Sequence, residues 1–378
     1  MTDLGEGIAI TGGYGFLGWH LSCRLRAQHD ATPDRLRRDE FAHPDTLQAR
    51  LETAPTIFHL AGVNRADTDD GVERGNLQIA ECLAQAIRRN GRPVHLVYAD
   101  SVQADLDNPY GRGKRGAAAV LRSAVEEVGG TLADVMLPNL FGEHGRPAYN
   151  SFVATFADAV AAGRDPTVRE DREVPLLHAQ RAAAHLITAA EERISSDSRP
   201  EGTPARVSEI LRTLRGFHDV YDEKGEIPDL TDSFSVDLFN TYRSYLFPHR
   251  FPMFPHVHAD ARGDLFETVR SHGGTGQSFV STTVPGATRG DHYHLHKVER
   301  FFVIEGEAEI ALRRLYDNDV VRFRVSGEKR AFVDMPTMWV HNIRNVGGSE
   351  LVTMFWGDQL LDPTNPDQYA ERVEVAAP

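Results

Sequence analysis

The chain has 378 residues, enough for two domains, of which 41% are hydrophobic and 25% charged, as in ordinary globular proteins. Its formal net charge of -14 argues against a nucleic-acid partner, because such binding needs clustered positive charge to neutralise phosphates. There is no basic segment followed by an apolar run of export length, and no run that could span a membrane. A cytoplasmic protein without membrane association is therefore expected.

The first half of the chain alternates short apolar runs with longer amphipathic segments, which is typical of a parallel sheet with crossover helices. The apolar runs predict strands at residues 7–11, 56–61 and 93–98. Helices are predicted at residues 16–27, 76–89, 110–128, 151–162, 180–192, 207–215 and 236–246. The fold class expected for this half is an α/β Rossmann-type parallel sheet.

The character of the sequence changes after Pro248, Pro252 and Pro255, a proline-rich stretch typical of a linker. Short β-rich segments separated by glycine and proline follow, at residues 277–284, 300–304, 308–315, 320–325, 330–335 and 351–356. Helical patterns almost vanish, which indicates an all-β barrel or jelly roll. We therefore predict two domains, at residues 1–246 and 247–378.

A glycine-rich turn separates the first predicted strand from the first predicted helix. Glycines permit a tight turn and close approach of a pyrophosphate, and the helix N-terminus offers free N–H groups. This pattern predicts a dinucleotide site formed by Gly12, Gly15, Phe16, Leu17 and Gly18. Arg37 and Arg38 favour NADP over NAD, because arginine accommodates a 2′-phosphate; a solvated mixed-charge loop is the alternative.

A hydride-transfer site is predicted from Ser101, Tyr110 and Lys114. Asn108 can cap a helix, with Pro109 at its first position, so that the tyrosine and the lysine lie one turn apart on one face. We expect the nearby ammonium to lower the pKa of the phenol, and the serine to hydrogen-bond the substrate oxygen. The alternative without a catalytic role is an amphipathic helix with a buried tyrosine and a surface lysine.

These features together resemble the extended short-chain dehydrogenase/reductase family. The resemblance rests on the glycine turn, the three polar residues just named, Asn76, and the segments His59-Leu60-Ala61-Gly62 and Pro138-Asn139-Leu140-Phe141-Gly142. It implies that Ser101, Tyr110 and Lys114 are catalytic and that Lys114 also holds the nicotinamide ribose. It further implies that Leu60, Ala61, Gly62 and Pro138 line the cofactor. Met136 departs from the family, in which many members place arginine two residues before that proline.

A second set of residues in the β-rich half has metal-ligand character. His292 and His294 are two apart and share one face of a strand, while Glu299 and His341 could return on neighbouring strands. Three imidazoles and a carboxylate suit zinc, or iron, nickel or manganese. The alternative is a metal-free domain whose histidines serve acid–base or packing roles.

This set resembles the two cupin motifs, with Gly286 and Gly306 flanking the first motif and Pro336 preceding the second. Met338 stands where the second motif usually has glycine. The segment of residues 260–267 is also similar to the opening of nucleotide-sugar 3,5-epimerases, which are cupins. The resemblance implies that His292, His294, Glu299 and His341 hold one divalent ion, zinc being the first choice.

The order of the two halves resembles a family of capsular polysaccharide synthesis enzymes, over residues 7–372. This likeness implies a bifunctional enzyme acting on a UDP-linked 4-keto-6-deoxy sugar. A homodimer is expected separately, because cupins often pair through strands. The cupin would epimerise carbon 3, and the reductase would reduce the carbon-4 ketone with NADPH, toward UDP-N-acetyl-L-fucosamine. Which residue removes the carbon-3 proton is left open between Tyr293 and a free histidine.

Two other functions are compatible with the sequence. The same chemistry could act on another nucleotide-linked 4-keto deoxysugar in antibiotic or cell-wall biosynthesis. Alternatively, the first half could be a non-catalytic nucleotide sensor joined to a cupin dimerisation module. The intact Ser101, Tyr110 and Lys114 argue against a sensor, which has no need of a proton donor.

Overall fold

The computed structural model describes Leu4 and residues 7–375, which form two compact units. The first unit runs up to Phe141 and resumes over Glu173–Ala205; the second joins Gly142–Arg172 to the chain from Arg206 onward. No helix in the described part of the chain is long and apolar enough to cross a membrane. The domain boundary predicted at residues 246/247 lies inside the second unit and stays a prediction, as does the cytoplasmic location.

The first unit is built on a parallel sheet. Its strands in chain order are β1 (Ile8–Thr11), β2 (Asp34–Leu36), β3 (Thr56–His59), β4 (His95–Ser101), β5 (Thr131–Leu137), β6 (Asn139–Phe141), β7 (Glu173–His178), β8 (Ser196–Ser198) and β9 (Thr203–Arg206). The main sheet has the order β2-β1-β3-β4-β5-β8 with parallel pairing throughout, and β6-β7-β9 form a small separate sheet. Strands buried on both faces read as continuous apolar runs, as β1 does.

Helices cover both faces of the main sheet. The helices of the whole chain are α1 (Phe16–His29), α2 (Pro44–Leu51), α3 (Asp69–Asn90), α4 (Pro109–Glu127), α5 (Phe152–Ala161), α6 (Ala179–Glu192), α7 (Val207–Phe217) and α8 (Ser233–Leu246). Helices α1 and α6 bury their apolar sides with one face of the sheet, and α2, α3 and α4 with the other. The predicted Rossmann-type fold class is confirmed.

Capping residues place the helix starts earlier than the apolar periodicity predicts. Helix α3 begins at Asp69 rather than residue 76, because the Thr68 side chain accepts a hydrogen bond from the Gly71 N–H at 3.1 Å. Helix α8 begins at Ser233 rather than residue 236, because the Asp232 carboxylate accepts the first N–H groups of the helix. Both first turns carry polar residues, so their apolar pattern starts late.

The second unit contains α5, α7, α8 and an antiparallel β-structure. Its strands are β10 (Val257–Asp260), β11 (Gly263–Phe266), β12 (Gln277–Thr283), β13 (Thr288–Tyr293), β14 (Glu299–Glu305), β15 (Glu307–Arg314), β16 (Val320–Ser326), β17 (Phe332–Met335), β18 (Trp339–Asn345), β19 (Leu351–Gly357) and β20 (Tyr369–Ala370). One sheet has the order β12-β19-β14-β17 and the other β16-β15-β18-β13-β20, while β10 and β11 form a hairpin. The predicted all-β character of this region is confirmed, in a cupin-like arrangement.

A buried polar cluster fixes residues that precede the predicted boundary onto strands that follow it. The Arg300 guanidinium pairs bidentately with Asp334, at 2.8 and 2.9 Å, and the Tyr221 hydroxyl donates to the same carboxylate at 2.8 Å. Arg243 of α8 donates to the Met335 carbonyl at 3.2 Å. Tyr221 and Arg243 precede the predicted boundary and their partners follow it, so these two hydrogen bonds join the helical and β parts of the unit.

Candidate functional site

The carboxyl edge of the parallel sheet carries the predicted cofactor and catalytic residues. Gly12 follows β1, Leu60 follows β3, Ser101 ends β4 and Pro138 follows β5. These strands are consecutive neighbours in the sheet and run in the same direction, so their ends meet at one edge. The structure therefore brings together the segments that the sequence assigned to nicotinamide binding.

The glycine turn has the geometry that a pyrophosphate requires. Gly12 has a φ of +71°, and a Cβ there would lie 2.8 Å from the backbone nitrogen of Ala61. Gly15 is the N-cap residue of α1. The first turn of that helix contains no acidic residue, and among the described residues no side chain caps its N–H groups. The N–H groups of that turn, which includes Phe16, Leu17 and Gly18, are therefore available to an anionic ligand.

Arginines lie beside the glycine turn, although they are not the pair expected. The guanidinium groups of Arg35 and Arg37 lie over the Tyr14 ring, at 4.3 and 4.1 Å from its centroid. Arg35 also donates to the Gly13 carbonyl at 2.8 Å, whereas Arg38 is exposed at the start of a short 3-10 helix. Arg35 is presented by β2, a strand that was not predicted, and it joins the arginines of the segment that favours NADP.

The loop after β3 is held by polar contacts to its neighbours. The Leu60 N–H donates to the Thr11 carbonyl at 3.1 Å, and Asn76 bonds both the N–H and the carbonyl of Val63, at 3.1 and 2.8 Å. His59 is buried, with its Nδ1 2.7 Å from the Thr11 hydroxyl. Burial, aided by the charge of Lys114, lowers the pKa of His59 to about 3, so this imidazole is neutral. Its role is structural.

The start of α4 places the tyrosine and the lysine on one face, as predicted. The Asn108 side chain accepts the Gly111 N–H at 2.8 Å, and Pro109 occupies the first helical position. A Cβ on Gly111 would lie 2.4 Å from the carbonyl oxygens of two residues in the preceding loop, so only glycine fits there. This close approach of the loop brings Tyr110 within hydrogen-bonding reach of Ser101.

Lys114 is buried against the sheet rather than exposed. Its Nζ donates to the Ala99 carbonyl at 2.8 Å, lies 4.2 Å from the Tyr98 ring centroid and is 3.8 Å from an oxygen of Asp100. Burial lowers the pKa of Lys114 to about 8, and the charges of Asp100 and Asp134 oppose that shift. The ammonium therefore remains mostly charged at neutral pH.

The expected lowering of the phenol pKa is wrong for the free site. Burial, the charge of Asp100 and the opposing hydrogen bond from Ser101 together raise the pKa of Tyr110 to about 12. The main physical reason is burial, which disfavours the charged phenolate, and the negative charge of Asp100 adds to this effect. At neutral pH, Tyr110 is a protonated hydroxyl.

Two buried carboxyl groups beneath the site were missed by the sequence analysis. Asp100 precedes Ser101 and accepts its N–H at 2.7 Å, while Asp134 pairs in register with Tyr98 on the next strand. Burial raises the pKa of Asp134 to about 7, and its Oδ1 has no hydrogen-bond partner among the described residues. No local motif could have revealed them, because each is a single acidic residue in an apolar strand.

The four predicted metal ligands lie together inside the β-structure. His292 is near the end of β13 and His294 comes directly after that strand. His341 is in β18 of the same sheet, and Glu299 begins β14 of the other sheet. One ligand atom from each of the four lies within 4.8 Å of all the others. Three of the residues are buried and His292 is half-buried, so the set faces inward.

The hydrogen bonds around this set orient the imidazoles. Nδ1 of His294 contacts the Asp367 carbonyl at 2.5 Å, and Nδ1 of His341 contacts the Trp339 carbonyl at 3.0 Å. Because a carbonyl only accepts, these nitrogens carry protons and leave each Nε2 for the interior. Both Nε2 atoms approach Glu299 Oε2, at 3.1 and 3.2 Å, and the buried Nε2 of His292 has no hydrogen-bond partner among the described residues.

The electrostatics of this set fit a cation. Burial would raise the pKa of Glu299, but the charge and hydrogen bond of His294, with the other imidazoles, hold it well below its ordinary value. Burial would lower the pKa of His294, but Glu299 raises it. A buried carboxylate at this point needs a positive charge, supplied either by a proton on His294 or by a divalent ion.

Two residues next to the ligand set contact each other without belonging to the four predicted ligands. His296 lies outside the set, as the cupin motif implied, and its N–H donates to the Asp367 carboxylate at 2.9 Å. Asp367 itself was not recognised as part of the site. It is distant in sequence, and only the fold shows that it contacts the histidine segment.

A parallel sheet with a glycine turn, a serine, a tyrosine and a lysine at its carboxyl edge defines a nicotinamide-dependent enzyme of the short-chain reductase type. The chain belongs to the NAD dependent epimerase/dehydratase family, which residues 8–199 match. Residues 258–369 match a second family, described as the Polysaccharide biosynthesis C-terminal domain. These matches cover most of both predicted halves of the chain.

Relatives match almost the whole chain. It is 31% identical over 374 residues, 96% of this chain and 98% of the relative, to UDP-2-acetamido-2,6-beta-L-arabino-hexul-4-ose reductase from Pseudomonas aeruginosa. The crystal structure of capsular polysaccharide assembling protein CapF from Staphylococcus aureus aligns with 97% of this chain and all of its own, with a TM-score of 0.61 and 32% identity. The predicted likeness to the capsular enzymes, the enzyme assignment and the nicotinamide cofactor are confirmed.

A more distant structure supports the fold alone. UDP-N-acetylglucosamine 4-epimerase from Methanobrevibacter ruminantium covers 65% of this chain and 99% of its own length, with a TM-score of 0.54 and 16% identity.

Proposed function

We propose that this chain is a bifunctional nucleotide-sugar enzyme. The histidine set of the second unit would epimerise carbon 3 of a UDP-linked 4-keto-6-deoxy-N-acetylhexosamine. The first unit would then reduce the carbon-4 ketone with NADPH, toward UDP-N-acetyl-L-fucosamine. The observation that carries this proposal is the coexistence of both residue sets in one chain that matches a UDP-sugar reductase over 96% of its length.

The reductase step uses the protonated state of Tyr110. NADPH, when bound, supplies the hydride. A phenol with a pKa of about 12 holds its proton at neutral pH, so Tyr110 enters the reaction as the acid that protonates the ketone oxygen. Ser101 orients that oxygen, and the Lys114 ammonium stabilises the phenolate that remains after the transfer. The raised pKa therefore suits reduction more than oxidation.

The choice of NADPH over NADH is supported by the arginines beside the glycine turn. Arg35 and Arg37 lie against Tyr14, next to the β2 end where the ribose of a dinucleotide is usually recognised. The acidic residue of that strand, Asp34, is engaged by Arg50, whose Nε donates to it at 2.7 Å. A 2′-phosphate at the end of β2 would meet the positive charge of Arg35 and Arg37.

In the second unit, His292, His294, Glu299 and His341 would hold the divalent ion, for which zinc is our proposal. When bound, the ion supplies Lewis-acid stabilisation of the charge that develops on the ketone oxygen as the carbon-3 proton leaves. The residues themselves keep the site dry and the ligand nitrogens aligned. Tyr293 is a poor candidate for the base, because it alternates away from the ligands and packs against Tyr369.

Incubation with the UDP-4-keto sugar and NADPH, with the product read by NMR, tests the whole proposal. The Tyr110→Phe variant should lose NADPH oxidation but retain exchange of the carbon-3 hydrogen in deuterated water, since the two reactions use different residues. Tyr149→Phe is the matched control, because its ring lies 5.1 Å from Arg146 and keeps that contact as phenylalanine. Retention of both activities in Tyr110→Phe would refute the assignment.

Metal content gives a separate test of the second unit. His341→Ala should release the ion, because it removes one of four converging ligands and opens a fully buried position. Metal analysis of the purified variant checks this, with NADPH binding to the first unit as the control for an intact fold. Wild-type metal content in the variant would contradict the ligand set.

We also propose that the chain forms a homodimer. Strand β12 lies at the edge of its sheet and exposes Val280, at 65%, while Leu265 on the β10–β11 hairpin is 71% exposed. Apolar side chains on a sheet edge favour association with another copy of the same surface. Light scattering should give twice the chain mass for the wild type and a monomer for Val280→Lys; a monomeric wild type would refute the proposal.

A further inference from the structure

The carboxylate of Asp367 closes the turn between two of the ligands. It accepts hydrogen bonds from three consecutive backbone N–H groups, those of Leu295 at 3.0 Å, His296 at 2.9 Å and Lys297 at 2.9 Å. These three residues lie between His294 and Glu299 in the chain. One side chain therefore fixes the conformation of the segment that sets the separation of those two ligands.

The backbone of the same residue contacts a ligand directly. The Asp367 carbonyl accepts from His294 Nδ1 at 2.5 Å, which fixes both the tautomer and the orientation of that imidazole. Asp367 has a φ of +42°, in the left-handed region that aspartate tolerates better than most residues. In this conformation the carbonyl and the carboxylate both contact the segment that begins at His294.

The segment that Asp367 contacts is buried, which increases the cost of losing its hydrogen bonds. His294 and Leu295 are each only 1% exposed, and Asp367 is 9% exposed, so solvent cannot replace these hydrogen bonds. Polar partners that hold a metal-binding histidine commonly change metal affinity about 10- to 100-fold when they are lost. The aspartate, 72 residues beyond Leu295, supplies this support from the C-terminal part of the chain.

We propose that Asp367 is a positioning residue of the cation site, holding His294 and the turn to Glu299 in the arrangement that binds a divalent ion. This inference rests on the proposed function of the second unit as a metal-dependent epimerase. Asp367 is the last residue of the Asp-Pro-Thr-Asn-Pro-Asp segment of residues 362–367. The segment delivers the carboxylate that the histidine turn lacks.

The test compares zinc affinity in two variants that tolerate a positive φ. Asp367→Gly removes all three acceptor contacts but keeps the backbone carbonyl, and Asp367→Asn keeps one acceptor oxygen. Zinc dissociation constants are measured by competition with a chromophoric chelator. We expect about 10- to 100-fold weaker binding for Asp367→Gly and a smaller loss for Asp367→Asn. The matched control is Asp30→Gly, which removes an exposed aspartate with a φ of 50° in the first unit.

Melting temperatures with and without zinc separate positioning from general stability. Positioning predicts a smaller zinc-induced rise in melting temperature for Asp367→Gly than for Asp30→Gly. An unchanged zinc affinity in Asp367→Gly overturns this inference alone, as does an unchanged zinc-induced rise. A wild-type protein that binds no zinc overturns the proposed metal function and this inference with it. If Asp367→Gly does not fold, the affinity of Asp367→Asn decides on the same criterion.

Discussion

Replacing Asp100 with asparagine should move the pH dependence of the reductase. The wild-type carboxylate lies 3.8 Å from Lys114 Nζ, and both side chains are buried. Asparagine has nearly the same shape and keeps an oxygen that can accept the Ser101 N–H, so the substitution mainly removes a negative charge. Without that charge the pKa of Lys114 should fall below its present value of about 8.

The expected size follows from Coulomb's law. Unit charges 3.8 Å apart attract each other by about 4 kcal/mol at an effective dielectric constant of about 20. That energy corresponds to about 3 pH units, an upper figure, since polar relaxation and the charge of Asp134 take up part of the change. A fall of even about 1 pH unit would reduce the charged fraction of Lys114 at pH 7.5 about threefold.

The direction of the effect is fixed by the chemistry. Lys114 acts while it is protonated, so activity is present below its pKa and is lost as pH rises through it. The alkaline limb of kcat/KM for NADPH, which reports groups of the free enzyme, should therefore move to lower pH in Asp100→Asn. Activity should recover as the pH is lowered toward 6. The control is Asp105→Asn, an exposed carboxylate that pairs with Arg199 at the surface.

If the alkaline limb of kcat/KM stays at its wild-type pH in Asp100→Asn, the proposed effect of Asp100 on the pKa of Lys114 is refuted, whatever the absolute rate. A uniform loss at every pH would show that Asp100 supports the local structure and not the charge of Lys114. The variant Asp134→Asn should shift the limb in the same direction but less, because Asp100 has the larger effect of the two charges that raise the pKa of Lys114.

Two further outcomes can be checked independently. Arg37→Ala should weaken NADPH binding about tenfold or more with little effect on NADH, as the loss of a charge-assisted phosphate contact predicts, while Arg38→Ala should change the ratio of the two KM values less. Equal effects of the two substitutions would favour a diffuse basic loop. Phe302→Ala should lower the free energy of unfolding by about 3–5 kcal/mol in urea titrations, because its ring is fully buried, whereas the half-exposed Phe254→Ala should cost far less. Similar losses for both would contradict the packing.

Elements with strong local signals were predictable from the sequence. Strand β1 is an uninterrupted apolar run, and α4 carries its own start signal in Asn108 and Pro109. Strand β5 was missed because Asp134 interrupts its apolar run, and burial of that carboxyl is a property of the fold. Strand β2, only three residues long and largely polar, exists through its pairing with β1. Its existence depends on tertiary contacts that composition does not encode.

The residues of the candidate sites could be predicted from the sequence, but their environments could not. Local spacing revealed both pairs of residues. Tyr110 and Lys114 are one helical turn apart, and His292 and His294 are two residues apart, the spacing that places side chains on one face of an extended chain. The environment of those residues depends on distant contacts. The pKa of Tyr110 was therefore expected to fall when it rises, because Asp100 and the depth of burial could not be read from spacing. The motifs identify the site residues but do not reveal which residues, distant in sequence, contact them.

The four converging side chains of the second unit come from strands of two different sheets. An ion coordinated there would act as a cross-link, adding to the cohesion of the β-structure the free energy with which it is bound. At a free concentration 1,000 times its dissociation constant, such a ligand contributes about 4 kcal/mol. Cellular supply of the ion would then govern how long the folded enzyme survives proteolysis as well as the rate of the proposed epimerisation, and starvation for the ion would remove the protein together with that activity.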